Sequence, residues 1–199
     1  MFSEWVERYW GILGLLLLMA FFCRFQGGIA LAMILGASML HEMGHLIVLR
    51  ILGGTVSFFS VSSGGLQIRT DSMGVSYLRE STAVLAGPMT NLAVGSILGL
   101  LSTRWPGLTA FAGANWALGI FNFLPAAPLD GWRFLQLVLC WLLGPADGGR
   151  IVAFCGGICG AFLSVGLLLL MFYSGGNLWL LPTAAAIAAA GARGIQKDL

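Results

Sequence analysis

The feature that most constrains the fold of this chain is a series of long apolar runs separated by short polar segments. Of its 199 residues, 58% are hydrophobic and only 9% are charged, whereas a soluble domain carries about a quarter charged residues. A helix that spans a bilayer needs about 20 predominantly apolar residues. The sequence therefore predicts an integral membrane protein in contact with the lipid bilayer and organised as one bundle.

Six transmembrane helices are predicted from the apolar runs. The fourth run is too long for one simple helix, and prolines and a glycine interrupt it between residues 122 and 131. The predicted spans are residues 10–23, 28–49, 82–102, 108–143, 151–173 and 178–190. The expected fold class is an all-α polytopic membrane protein of about six transmembrane helices, the fourth of which is broken.

Residues 53–80 differ from the rest of the chain. Residues 55–61 and 66–70 are β-prone and partly alternating, and the glycine-containing segments 64–65 and 71–74 supply turns. We therefore predict a small membrane-surface β segment between helices two and three. A loop without regular structure is the alternative.

The distribution of basic residues predicts the orientation. Cytoplasmic loops carry an excess of Lys and Arg. With six spans, Arg24 and Arg104 fall on one side of the membrane and a larger set falls on the side of the N-terminus. That set is Arg8, Arg50, Arg69, Arg79, Arg150, Arg193 and Lys197. Both termini and the β segment are therefore predicted to lie in the cytoplasm.

The second apolar run contains His41-Glu42-Met43-Gly44-His45, with the only two histidines of the chain. Residues i and i+4 share one face of a helix, so both imidazoles can point at one ion. Glu42 projects near the same face, where its carboxylate can take a proton from a metal-bound water. This is the HExxH arrangement of zinc metallopeptidases.

Asp130 is the candidate for a third metal ligand, which a catalytic zinc site requires. Of the eight acidic residues, only Glu42 and Asp130 lie at plausible membrane depth. An ionisable group there costs about 2.5–3.5 kcal/mol and is functional by default. One divalent cation with these two carboxylates sums to zero charge, which favours burial. The alternative is an ion pair between Asp130 and Arg133 that holds the helix break together.

These motifs resemble the signature of the site-2 proteases, a family of intramembrane zinc metalloproteases. The resemblance is carried by the HExxH segment and by Asn122-x-x-Pro125-x-x-Pro128-Leu129-Asp130-Gly131. A third element, Ala86-Gly87-Pro88-Met89-Thr90-Asn91, is similar to the family's Gly-Pro-x-x-Asn motif. The short N-terminus, the six spans and the β segment resemble the sporulation-type subgroup, which includes stage IV sporulation protein FB.

The resemblance implies a role for each of these residues. His41, His45 and Asp130 would bind Zn²⁺, Glu42 would be the catalytic base, and Asn122 would contact the substrate backbone or stabilise the oxyanion. The chain would be a single transmembrane metalloprotease domain over residues 1–199, in a bacterial cytoplasmic membrane, without a PDZ or nucleotide-sensing regulatory domain.

The expected partner is a membrane-associated protein substrate, bound as an added β-strand and cleaved in regulated proteolysis. A sigma-factor or other transcription-factor precursor is the substrate class that the sporulation-type resemblance favours. A regulatory membrane partner is compatible with this reading, and no nucleic-acid partner is expected.

Four alternatives stay open at this point. A membrane metal-ion transporter would use His41, His45 and Asp130 as a transit site but would give Glu42 no special role, and a non-catalytic binding protein is a weaker option. For Gly87, Pro88 and Asn91, close helix packing is favoured over a functional role. Arg133 can orient Asp130.

Overall fold

The computed structural model describes residues 27–53, 56–62, 65–70, 77–175 and 180–198. Within these ranges the chain forms six helices and one pair of strands. In chain order they are α1 (Gly28–Ile51), β1 (Val56–Ser62), β2 (Gly65–Thr70), α2 (Tyr77–Ser102), α3 (Thr109–Asn122), α4 (Asp130–Leu143), α5 (Pro145–Tyr173) and α6 (Leu180–Asp198). A short 3₁₀ turn, Pro106–Leu108, precedes α3. The predicted first span, residues 10–23, lies outside the described residues.

Three of the described helices, α1, α2 and α5, are long and apolar enough to cross a membrane. They correspond to the predicted second, third and fifth spans. Large apolar side chains point outward from each of them: Ile29 is 75%, Leu100 76% and Phe162 75% exposed. Such side chains suit contact with lipid, so the prediction of a membrane protein is confirmed. The count of six crossings stays a prediction.

Helices α2 and α5 begin earlier than the apolar windows indicated. Helix α2 begins at Tyr77 instead of residue 82, and α5 begins at Pro145 instead of residue 151. Proline is favoured in the first turn of a helix because its missing N–H is not needed there. Polar first turns extend both helices, and they carry Glu80 in α2 and Asp147 in α5. Hydropathy alone does not detect a polar turn of this kind.

The fourth apolar region is broken, as predicted. Helices α3 and α4 have 14 residues each, which corresponds to about 21 Å at 1.5 Å per residue and is shorter than a bilayer core of about 30 Å. Pro125 and Pro128 lie in the break and cannot donate backbone hydrogen bonds. Ala126 and Ala127, between them, are 1% and 6% exposed. The middle of the break is therefore buried in protein, where irregular backbone is tolerated.

Helix α2 is the centre of the arrangement and contacts α1, α3 and α4. Close approach to α1 depends on small residues. A side chain at Gly44 of α1 would collide with Thr90 of α2, and one at Gly87 of α2 would collide with the imidazole of His45. Glycine at these two positions therefore brings the HExxH helix against α2.

Strands β1 and β2 pair antiparallel in a two-stranded sheet. Ser60 pairs with Gln67 and Phe59 with Ile68, and the register shifts between Val56 and Phe58. The location of this hairpin at the membrane surface stays a prediction.

Candidate metal centre

The side chains of His41, His45 and Asp130 converge where α1 meets the start of α4. Asp130 Oδ2 lies 2.8 Å from His41 Nε2 and 3.3 Å from His45 Nε2. The two Nε2 atoms are 3.1 Å apart. The three residues form a group whose ligand atoms all lie within 4.8 Å of one another. The structure therefore brings together the three residues that the sequence indicated as ligands.

Helix α1 supplies both imidazoles from one face, and the broken region supplies the carboxylate. The rings of His41 and His45 lie edge to face, with centroids 4.7 Å apart. Asp130 is the first residue of α4 and directly follows the break. A side chain at Gly131 would collide with the carbonyl of Phe123, so the start of α4 lies tightly against the end of α3.

Asn91 fixes the tautomer of His41. Its Nδ2 donates to the carbonyl of Ala37 at 2.9 Å and to Asn115 Oδ1 at 3.0 Å, which leaves its Oδ1 facing His41 Nδ1 at 2.6 Å. An amide oxygen only accepts hydrogen bonds, so His41 Nδ1 must donate. In the neutral ring, Nε2 then carries the lone pair and faces Asp130.

His45 is oriented in the same sense by the backbone of α2. Its Nδ1 lies 2.8 Å from the carbonyl oxygen of Ala83, and a carbonyl also only accepts. His45 Nδ1 therefore donates, and in the neutral ring Nε2 carries the second lone pair. Hydrogen bonding of the distal ring nitrogen in this way is typical of metal-binding histidines.

The donor set fits a zinc ion. Two imidazole lone pairs and a carboxylate oxygen face one another at 2.8–3.3 Å, an arrangement that repels itself unless positive charge lies among them. A proton can be shared by two of these atoms in a hydrogen bond, whereas a metal ion can be bound by all three. Two nitrogens and one oxygen are a zinc ligand set, and tetrahedral ligands about 2.0–2.1 Å from the metal lie about 3.3 Å apart.

The other two predicted site residues, Glu42 and Asn122, do not belong to the ligand group. Glu42 is half-buried and close enough to His45, His41 and Asp130 to interact with them electrostatically. Asn122 donates from Nδ2 to the carbonyl of Leu118 in its own helix at 3.0 Å. No hydrogen bond within the described ranges joins Asn122 to the ligand group.

The alternative of an Asp130–Arg133 ion pair is wrong. Arg133 donates from its guanidinium to Glu80 Oε1 at 2.9 Å, while the Asp130 carboxylate faces the two imidazoles. The long Arg133 side chain extends away from the centre and is 45% exposed. Arg133 therefore links the start of α4 to the start of α2 and does not contact the ligand.

Two residues of the site were missed or undervalued from the sequence. Asn91 was considered mainly as a packing residue, and Asn115 was not singled out, yet both are 0% exposed. A fully buried amide in an apolar helix must find hydrogen-bond partners. Their position among apolar residues was the available signal, but it does not identify the partners.

Comparisons with known proteins find similarity to zinc metalloproteases over part of their length. No protein-family model matches the chain. It is 30% identical to Rip3 of Mycobacterium tuberculosis, named as a candidate zinc metalloprotease, over 146 residues covering 61% of this chain and 35% of Rip3. It is 28% identical to zinc metalloprotease MJ0392 of Methanocaldococcus jannaschii over 141 residues, covering 67% and 39%. The chain thus spans little more than a third of these relatives.

The fold is similar to that of a solved site-2 protease from Methanocaldococcus jannaschii. The superposition has a TM-score of 0.68 at 22% sequence identity and covers 93% of this chain and 87% of that one. The fold that the motifs implied through their resemblance to the site-2 proteases is therefore confirmed. The sporulation-type subgroup stays a prediction.

Proposed function

We propose that this protein is a zinc metalloendopeptidase that hydrolyses a peptide bond of a membrane-associated protein within or beside the bilayer. The observation that carries the proposal is the convergence of two imidazole lone pairs and the Asp130 carboxylate. Both imidazoles lie on α1, a helix long and apolar enough to cross a membrane. The names of the curated relatives and the site-2 protease fold support it.

His41, His45 and Asp130 are the residues that would hold zinc. When bound, zinc acidifies a water molecule and polarises a carbonyl. The chain itself holds the ligands in place: Asn91 and the Ala83 carbonyl orient the two rings. These contacts keep both Nε2 atoms directed at Asp130, so the ligand set is preorganised.

Glu42 is the proposed general base. It follows His41 directly in α1 and interacts with all three ligands. Its carboxylate takes a proton from the attacking water and returns it to the amine that leaves. A C–O bond forms, the C–N bond breaks, and both fragments together contain the atoms of the water.

Asn122 is the proposed contact for the substrate backbone or the developing oxyanion. An amide nitrogen has two N–H groups, and the bond to Leu118 uses one of them within α3. Asn122 ends α3 immediately before the break that leads to Asp130. A donor at this point carries no charge into the membrane.

The substrate is proposed to bind as an added β-strand on the β1–β2 hairpin. A two-stranded sheet leaves one edge of each strand without a strand neighbour among the described residues, and such an edge can pair with an extended peptide. The resemblance to the sporulation-type subgroup favours a sigma-factor or other membrane-tethered transcription-factor precursor. The positive-inside pattern favours cytoplasmic termini and a site that opens inward.

Replacing Glu42 by Gln tests the proposed function. Glu42→Gln removes the proton acceptor and leaves His41, His45 and Asp130 intact, so the variant should bind zinc but lose cleavage of a membrane-protein substrate. Cleavage by purified protein in detergent or liposomes is the measurement. A Glu42→Gln variant that cleaves like the wild type, or a wild type that conducts metal ions without cleaving, would overturn the proposal.

A further inference from the structure

We propose that Asn115 is a positioning residue for the metal ligand His41. It acts through Asn91 and helps determine which nitrogen of His41 carries the proton and which carries the lone pair. The inference rests on the metal site of the proposed function. It adds a residue of α3 that contacts neither metal ligand nor substrate.

A directed chain of hydrogen bonds joins α3 to the metal centre. Asn115 Nδ2 donates to the carbonyl of Phe111 at 2.9 Å, and Asn115 Oδ1 accepts from Asn91 Nδ2 at 3.0 Å. Asn91 Oδ1 then accepts from His41 Nδ1 at 2.6 Å. Because the Phe111 carbonyl can only accept, the orientation of Asn115 is set first. The Asn91 amide and the His41 ring, which follow in the chain of hydrogen bonds, then each have one favourable orientation.

Asn115 holds one of the two N–H groups of Asn91, and the carbonyl of Ala37 holds the other at 2.9 Å. With both groups occupied, the amide oxygen of Asn91 is left to face His41. Without Asn115, one N–H of Asn91 lacks its partner in a fully buried site, where an unpaired donor is costly. Rotation of the Asn91 amide then becomes more favourable, because it can give the unpaired N–H another partner. Rotation weakens the contact that keeps the His41 lone pair on Nε2.

The burial of both asparagines determines what the loss of Asn115 would do. Asn91 and Asn115 are both 0% exposed, so water cannot replace a lost partner. A purely structural asparagine pair would hold α2 against α3 and would affect only stability. A positioning role predicts instead that changes at Asn115 alter the properties of the bound metal.

Variants of Asn115 separate the two roles. Asn115→Leu removes the acceptor for Asn91. Asn115→Asp, protonated at this fully buried position, can donate to the Phe111 carbonyl and keeps an oxygen that accepts from Asn91. Ser164→Ala is the control: Ser164 is 7% exposed and donates to Gly160 at 2.7 Å and Ala184 at 3.1 Å, remote from the centre in α5 and α6. The readouts are zinc affinity by chelator competition and the visible spectrum of the Co²⁺-loaded protein.

Asn115→Leu should weaken zinc binding by up to about tenfold, the lower end of the loss when a group bonded to a metal ligand is removed, because Asn115 acts through Asn91. It should also alter the Co²⁺ spectrum. Asn115→Asp should restore both, and Ser164→Ala should change neither. If Asn115→Leu does not fold, Asn115→Ser gives the same test, since its hydroxyl can donate to Phe111 within the helix but ends short of Asn91.

Wild-type affinity and spectrum in Asn115→Leu or Asn115→Ser would overturn the inference and leave the proposed function intact. A wild-type protein that binds no zinc would instead overturn the metal site itself. The two failures are therefore distinguishable.

Discussion

His41 Nε2 lies 2.8 Å from Asp130 Oδ2, although 89 positions of sequence separate the two residues. Helix α1 supplies the histidine and the broken fourth region supplies the carboxylate. A continuous helix over residues 109–143 would have no reason to present residue 130 at this point. The prolines between α3 and α4 therefore have a structural consequence: they allow a new helix to begin at Asp130.

Gly87→Ala should displace His45 and weaken zinc binding. A methyl group there would collide with the His45 imidazole, which the Ala83 carbonyl holds in place. Gly99→Ala is the matched control in the same helix, because its methyl group would meet Trp116 at an ordinary 3.6 Å. Zinc affinity and thermal stability should both be measured.

Gly99→Ala should be neutral or stabilising, by up to about 1 kcal/mol from helix propensity. Equal zinc affinity in both alanine variants would show that Gly87 does not make room for the ligand.

Asn122→Ala should keep zinc and fold but reduce proteolysis. If the amide serves the developing oxyanion, turnover should fall about 10²–10³-fold. If it holds only the substrate strand, the loss should appear mainly in apparent affinity. Steady-state kinetics on a defined substrate distinguish these cases. Cleavage at the wild-type rate would limit Asn122 to its bond with Leu118.

The Glu80–Arg133 pair should contribute modestly to stability. Arg133 is 45% exposed, so solvent screening keeps the coupling to about 0.2–1 kcal/mol. A double-mutant cycle with Glu80→Gln and Arg133→Met measures it in detergent. The Asp147–Arg150 pair, 3.8 Å apart and about 70% exposed on both sides, should couple less. A larger coupling in the exposed pair would contradict this ranking.

Proline in β2 should interfere with substrate binding without removing zinc. Successive N–H groups of a strand point to opposite edges, so Gln67→Pro and Ile68→Pro remove donors from different edges. The variant that loses the outer donor should cleave poorly while the hairpin persists, and the other should weaken the pairing of β2 with β1. Unchanged cleavage in both would exclude this strand from substrate binding.

The sequence predicted what depends on local pattern. The spacing of His41 and His45 places both on one helix face, and the scarcity of carboxylates at depth identified Asp130. The partners of Asn91, Asn115 and Arg133 depend on how α2 packs against α1, α3 and α4. Sequence spacing suggested Asp130 as the ion-pair partner of Arg133, but helix packing places Glu80 beside Arg133 instead. Tertiary contacts of this kind have no periodicity from which they can be predicted.

Metal analysis of the purified protein tests the central claim most directly. Elemental analysis should find one zinc ion per chain, and X-ray absorption should find two imidazole nitrogens and a carboxylate oxygen at about 2.0–2.2 Å. Asp130→Asn should lose most of this zinc, whereas Asp147→Asn, at an exposed position of α5, should retain it. A wild-type protein without zinc, or an Asp130→Asn variant with unchanged zinc content and absorption spectrum, would contradict the account.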